Sequence, residues 1–78
     1  MINLQKLIDQ TYSYTEEARN RGAEELASTY FSDFCGFEAV RNYLRLGNLE
    51  EAGAIVADMD TEPREEIIHA LIKDNIWQ

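Results

Sequence analysis

The fold is decided by residues 43–56, YLRLGNLEEAGAIV, which contain a helix end, a turn and a helix start in succession. Gly47 suits the left-handed conformation that ends many helices. Asn48 is a favourable N-cap, and Glu51, three residues later, completes a capping box. The stretch therefore predicts a helical hairpin at about 37–58, with Leu46 and Leu49 flanking its turn.

The hairpin carries apolar residues at helical spacing on both sides of its turn. They are Phe37, Val40, Tyr43, Leu44, Leu49, Ala52, Ile55, Val56 and Met59. The segment 32–36, SDFCG, predicts a break before the hairpin, and the segment 58–61 predicts a loop after it. Thr61 is the predicted N-cap of a last helix at about 62–75, with Pro63 in its first turn. The core positions of this helix are Ile67, Ile68, Leu71 and Ile72.

Two more apolar stripes precede the hairpin. The first follows Asn3, a predicted N-cap, and consists of Leu4, Leu7, Ile8, Thr11, Tyr12 and Thr15. The second consists of Ala23, Leu26, Ala27, Tyr30, Phe31 and Phe34. Gly22 predicts a helix end between them, but a glycine inside a helix costs only about 1 kcal/mol, so one continuous helix is the alternative. No strand pattern is present, and we predict an all-α, compact bundle of four or five short helices, forming one domain over 1–78.

The hairpin turn resembles the turn between the paired helices of a tetratricopeptide repeat. Tyr43, Gly47 and Ala52 stand at the spacing of that family, and Pro63 stands where the next repeat has a proline. The resemblance is confined to residues 43–63; the tryptophan of the family is missing, and Val40 replaces a small residue. Because such repeats need about three copies to be stable, the resemblance implies a helical hairpin rather than membership of the family.

The charge is strongly negative and unevenly distributed. The formal net charge is −8 over 78 residues. From residue 46 onward there are eight acidic and two basic side chains, a net charge of −6. Repulsion disfavours direct binding to nucleic acid or to an anionic membrane, whereas a basic protein surface is a suitable partner. No signal peptide or long apolar segment is recognisable, so we expect a cytoplasmic protein.

Stabilising crosslinks and cofactor motifs are missing from the sequence. Cys35 is the one cysteine and His69 the one histidine, so neither an internal disulfide nor a His/Cys zinc site is available. The acids at 58–62 alternate but lack the glycine of a calcium loop. We predict no metal and no cofactor. A chain this short has a thin core, and we therefore expect a homodimer.

Catalytic patterns are equally weak. His69 stands near Glu65 and Glu66 at helical spacing, which would orient a general base, but a histidine on a solvated helix face explains it better. Cys35 is placed in the predicted break before a helix, where a small buried side chain is the simpler interpretation. No phosphate-binding glycine loop or nucleophile elbow occurs. These features predict a protein that is not an enzyme.

Two function hypotheses follow. The first is a small acidic protein that binds and regulates or inhibits a protein partner; in type it resembles accessory proteins of bacteriophages and mobile elements. The alternative is a nucleic-acid mimic that occupies the DNA- or RNA-binding site of a basic protein. The predicted partner-binding acids are Glu50, Glu51, Asp58, Asp60, Glu62, Glu65 and Glu66, and the predicted exposed aromatic contacts are Tyr14 and Trp77. Phe31, Phe34 and Phe37 are assigned to the core.

Overall fold

A computed structural model describes residues 1–77 and shows four α-helices. They are α1 (Ile2–Asn20), α2 (Glu24–Arg45), α3 (Leu49–Asp58) and α4 (Thr61–Lys73). The all-α bundle predicted from the sequence is confirmed. None of these helices is both long enough and apolar enough to cross a membrane.

Three of the four helices end in the same way, with one residue in the left-handed conformation. Gly22 and Gly47 have φ angles of 75° and 76°, and Asn75 has a φ of 59°. After each, the next backbone N–H donates to the carbonyl five residues earlier, as in the 2.9 Å bond from Asn48 to Tyr43. The predicted helix ends at Gly22 and Gly47 are therefore confirmed, and the alternative of one helix through Gly22 is wrong.

The break predicted at residues 32–36 is absent. α2 runs without interruption from Glu24 to Arg45 and includes Gly36. The burial of Phe37 and Val40 outweighs the roughly 1 kcal/mol that glycine costs in a helix. Gly36 also has a packing role, because a Cβ there would lie 3.0 Å from the Cε of Met59. The absence of a side chain at Gly36 leaves room for the end of the Met59 side chain against α2.

Helix starts follow the prediction only in part. Asn48 caps α3, since its side chain accepts a 3.1 Å hydrogen bond from the Glu51 N–H. α1, however, begins at Ile2, so the predicted cap Asn3 lies inside the helix. α4 begins at Thr61, which makes Asp60 its N-cap residue. The loop predicted at 58–61 consequently shrinks to Met59 and Asp60.

α1 and α2 form a long antiparallel hairpin, and α3 and α4 cover one side of it near the chain termini. The core cluster takes residues from all four helices: Leu4, Ile8, Phe37, Val40, Ala52, Val56, Ile67 and Leu71. It includes no residue of α1 beyond Ile8 and none of α2 before Phe37. The other end of the hairpin is joined through small buried residues, Thr15, Ala18 and Ala27. That end therefore projects, and the molecule measures 38 × 22 × 21 Å.

Several residues assigned to the core are exposed instead. Tyr12, Leu26, Phe31, Leu49 and Ile72 all have 40% or more of their surface accessible. Most lie on sides of the helices that no other helix covers. The apolar stripes lie on helices as predicted, but two of them belong to the single helix α2. The exposed residues show that an apolar stripe is not covered by another helix along its whole length.

Candidate acidic interface

Carboxylates from three parts of the chain meet at the start of α4. Asp33 belongs to α2, Asp60 to the turn before α4, and Glu62 and Glu66 to successive turns of α4. We name these four residues the acidic cluster. Pro63, in the first turn of α4, is buried and lines the same concavity as Asp33 and Asp60. The start of α4 is therefore held against the part of α2 that carries Asp33.

Burial and neighbouring negative charges raise the pKa of two carboxyl groups in the acidic cluster. Burial, followed by the charges of Asp60 and Glu62, raises the pKa of Asp33. Burial, followed by the charges of Glu62 and Asp33, raises the pKa of Glu66. A carboxylate near others is harder to ionise. The charge of Glu62 in α4 helps to raise the pKa of Asp33 in α2, and the charge of Asp33 helps to raise that of Glu66, so α2 and α4 present a shared negative surface.

No cation neutralises this surface within the described chain. The ion pairs found across residues 1–77 are Glu16–Arg19 and Glu38–Arg41, both away from the acidic cluster. Arg64 follows Pro63 in α4, but its guanidinium donates to the Met59 carbonyl at 3.3 Å. The nearest base in sequence is thus engaged with the backbone, and the carboxylates face solvent without a partner.

The predicted acids fall into two groups. Glu65 shares a surface concavity with Glu62, Glu66 and His69, and Asp58 lines the concavity of Asp33 and Asp60. Glu50 and Glu51 instead open α3. They lie about 12 Å along the helix axis from Asp58, at 1.5 Å per residue. The structure therefore brings five of the seven predicted acids together and leaves these two at the other end of α3.

Asp33 was missed in the sequence because it falls in the segment that was assigned to a loop. In a continuous α2 it lies four residues before Phe37, on the same side of the helix as this core residue. The four-residue spacing between Asp33 and Phe37 could have placed Asp33 next to the core. The predicted break at Gly36 separated the two residues and removed this inference.

The two predicted aromatic contacts differ in their environment. Tyr14 is 42% exposed, as predicted, and packs against Tyr30 with a ring-centroid distance of 5.5 Å. Trp77 is half-buried and packs against the core. Its Cη2 lies 3.7 Å from the Cβ position of Gly53. Trp77 therefore closes the end of the bundle rather than projecting as a free contact.

Cys35 and His69 are the remaining reactive side chains. Cys35 is exposed and lies inside α2, so the interpretation as a buried loop residue is wrong. Its position in mid-helix also removes the helix N-terminus that would activate a thiol. His69 is exposed on α4, next to Glu65 and Glu66. Among residues 1–77, no group of three or more His, Cys, Asp or Glu side chains is arranged to hold a metal ion.

No family model, curated protein or solved structure matches the chain.

Proposed function

We propose that the protein is a non-enzymatic binding protein that docks on a basic surface of a protein partner and thereby regulates or inhibits it. The observation that carries the proposal is the acidic cluster, Asp33, Asp60, Glu62 and Glu66, with Asp58 and Glu65 beside it. Burial, followed by repulsion between its carboxylates, raises the pKa of Asp33 and Glu66. A basic partner relieves this repulsion when it binds.

Rigid attachment supports the same proposal. All of these acids stand on helices or on the two-residue turn between α3 and α4. Their spacing is therefore set before the partner arrives, which lowers the entropy cost of binding. A complementary charge pattern also steers a basic partner toward the surface and accelerates association.

The test compares protein capture on three immobilised forms of the protein. The first is the wild type. The second, Glu65→Lys with Glu66→Lys, reverses charge beside and within the acidic cluster. The third, Asp9→Lys with Glu17→Lys, makes the same change in net charge at exposed positions of α1. We expect a partner that binds the wild type and the α1 variant equally and loses most of its affinity for the α4 variant.

Titration of the captured partner completes the test. Its affinity for the wild type falls as salt is raised, because screening limits exposed charges to a range of about 8 Å at physiological ionic strength. Circular dichroism confirms that the three forms are equally helical. Equal binding to all three forms, or binding that ignores salt, would contradict the proposal.

The nucleic-acid mimic is the alternative within the same proposal, since it uses the same carboxylates. It requires that the partner bind DNA or RNA through the surface that meets the acidic cluster. Competition decides between the two: added nucleic acid displaces the protein from its partner if it is a mimic. If the partner binds nucleic acid and this protein at the same time, the protein acts at a site separate from the nucleic-acid site.

A further inference from the structure

The long α1–α2 hairpin has one side that neither α3 nor α4 covers. On this side Tyr12 of α1 packs against Phe34 of α2 with a ring-centroid distance of 5.4 Å, and Phe31 packs against Phe34 at 6.1 Å. Nearer the chain termini, Arg41 of α2 donates to Gln5 of α1 at 2.9 Å. We name this side the open face.

The position of α3 shows that the open face points away from the bundle. Gly36 is the residue of α2 that meets Met59 at the end of α3. At 3.6 residues per turn, Phe34 points about 160° away from Gly36 around the helix axis. Phe31 and Tyr12 are accordingly 46% and 50% exposed. Phe34 is partly buried and also packs against the core cluster, so Tyr12 and Phe31 are the aromatic side chains that solvent reaches on this surface.

The open face differs in charge from the rest of the molecule. Two ion pairs lie on it, Glu16–Arg19 at 2.8 Å and Glu38–Arg41 at 3.6 Å, and Glu24 lies beside Arg19 and Phe31. Each pair begins four residues after an aromatic residue of the same helix, Tyr12 or Phe34, so the pairs lie on either side of the aromatic centre. Their charges cancel, whereas the whole chain carries −8. These two pairs therefore add no net charge to the surface that a second copy would meet.

The dimensions of the open face match what a small dimer needs. α1 and α2 have 19 and 22 residues, which is about 30 Å of length at 1.5 Å per residue. Two adjacent helices, each about 10 Å wide, present roughly 600 Å². Two such faces bury about 1,200 Å² in total, the lower end of the range for specific protein interfaces.

From these observations we propose that two copies of the chain associate through their open faces, forming a four-helix bundle from two α1–α2 hairpins with Tyr12, Phe31 and Phe34 at its centre. This interface is separate from the acidic cluster, which leaves both clusters of the dimer accessible. The dimer does not depend on the proposed function, and each can be tested without the other.

The test is analytical ultracentrifugation of the full chain from low micromolar to submillimolar concentration. We expect a monomer–dimer equilibrium for the wild type. Phe31→Glu places two charges in the aromatic centre of each dimer and weakens association about 100-fold, as expected for loss of hot-spot residues on both sides of a symmetric interface. The matched control is Leu46→Glu, at an apolar residue that is 79% exposed in the α2–α3 turn, and it leaves the dimer unchanged.

A second measurement needs no amino-acid substitution, because a spin label can be attached to the natural cysteine. Cys35 is exposed, the one cysteine of the chain, and one helical turn from Phe31. A nitroxide attached to Cys35 should show a dipolar coupling between copies that disappears on dilution with unlabelled protein. A wild type that stays monomeric over the whole range, or a dimer that Leu46→Glu dissociates and Phe31→Glu does not, would overturn the proposal.

Discussion

The carboxylate of Asp74 caps the N-terminus of α1, accepting a hydrogen bond of 2.8 Å from the backbone N–H of Asn3. It also accepts from the Asn3 side chain and from the Leu4 N–H, each at 2.9 Å. The first turn of a helix leaves several N–H groups without an acceptor inside the helix. Here Asp74, which lies beyond the end of α4, supplies acceptors for two of them. Burial opposes ionisation of Asp74, but the hydrogen bonds outweigh it and hold its pKa below the ordinary value.

We expect Asp74→Asn to lower the free energy of unfolding at neutral pH by about 1–2 kcal/mol, since the amide keeps one acceptor oxygen and loses the charge that strengthens these hydrogen bonds. A depressed pKa contributes stability above the ordinary carboxyl pKa near 4, and this stability is lost as the pH falls through the folded-state pKa. The difference between wild type and variant should therefore narrow below about pH 4. Urea denaturation at several pH values measures it. Asp9→Asn, on the exposed side of α1, is the control and should change stability by less than about 0.5 kcal/mol.

The acidic cluster predicts the opposite pH dependence. Asp33 and Glu66 have raised pKa values, so their contribution to stability is full below the ordinary carboxyl pKa and is lost as the pH rises through the folded-state pKa. We expect Asp33→Asn with Glu66→Gln to stabilise the protein at pH 7, by less than about 1 kcal/mol because both groups are partly solvated. The gain should vanish near pH 4. A variant less stable than wild type at pH 7 would show that these carboxylates are not in mutual repulsion.

Two glycines should respond to alanine with opposite signs. Gly47 has a φ of 76°, a conformation that costs an L-residue about 1–2 kcal/mol, so Gly47→Ala should lower the melting temperature. Gly53 lies inside α3, and a Cβ there makes only an ordinary 3.7 Å contact with Trp77. Gly53→Ala should raise stability by about 0.5–1 kcal/mol through the better helix propensity of alanine. Equal effects in thermal denaturation would contradict the assigned turn.

Phe37 is the largest side chain with less than 2% of its surface exposed, and it joins the core that all four helices share. We expect Phe37→Ala to cost about 3–5 kcal/mol, a large part of the stability of a chain this short. Chemical denaturation measures the loss. Phe31→Ala, at a side chain that is half exposed in the monomer, is the comparison and should cost much less at concentrations where the protein is monomeric.

Local sequence signals were sufficient for the turns and for the innermost core. Gly22, Gly47 and Asn48 act within a few residues of their own position, and their conformations agree with prediction. The innermost residues also have the expected periodicity: Leu4, Ile8, Val40 and Leu71 are buried. The turns depend on the backbone conformation of a few neighbouring residues, and the periodicity of the core depends on the sequence of a single helix.

Features that depend on contacts between distant segments were not predictable in this way. The break expected at Gly36 is absent because the burial of Phe37 and Val40 outweighs the cost of that glycine in a helix, and the cap expected from Asn3 is replaced by Asp74, 71 positions away. For the candidate site, the acids of α4 and the α3–α4 turn were found by their charge. Asp33 joins them only because α2 is continuous.

The projecting end of the α1–α2 hairpin has a consequence for hydrogen–deuterium exchange. Its backbone amides are protected by two helices whose buried contacts here are the small residues Thr15, Ala18 and Ala27, with the Tyr14–Tyr30 ring pair beside them. Regions with few buried contacts open at a lower free energy than the rest of the protein. We therefore expect amide protons on either side of Gly22 to exchange through local opening of the hairpin end. Those around Val40 and Leu71 should exchange only when the whole bundle unfolds.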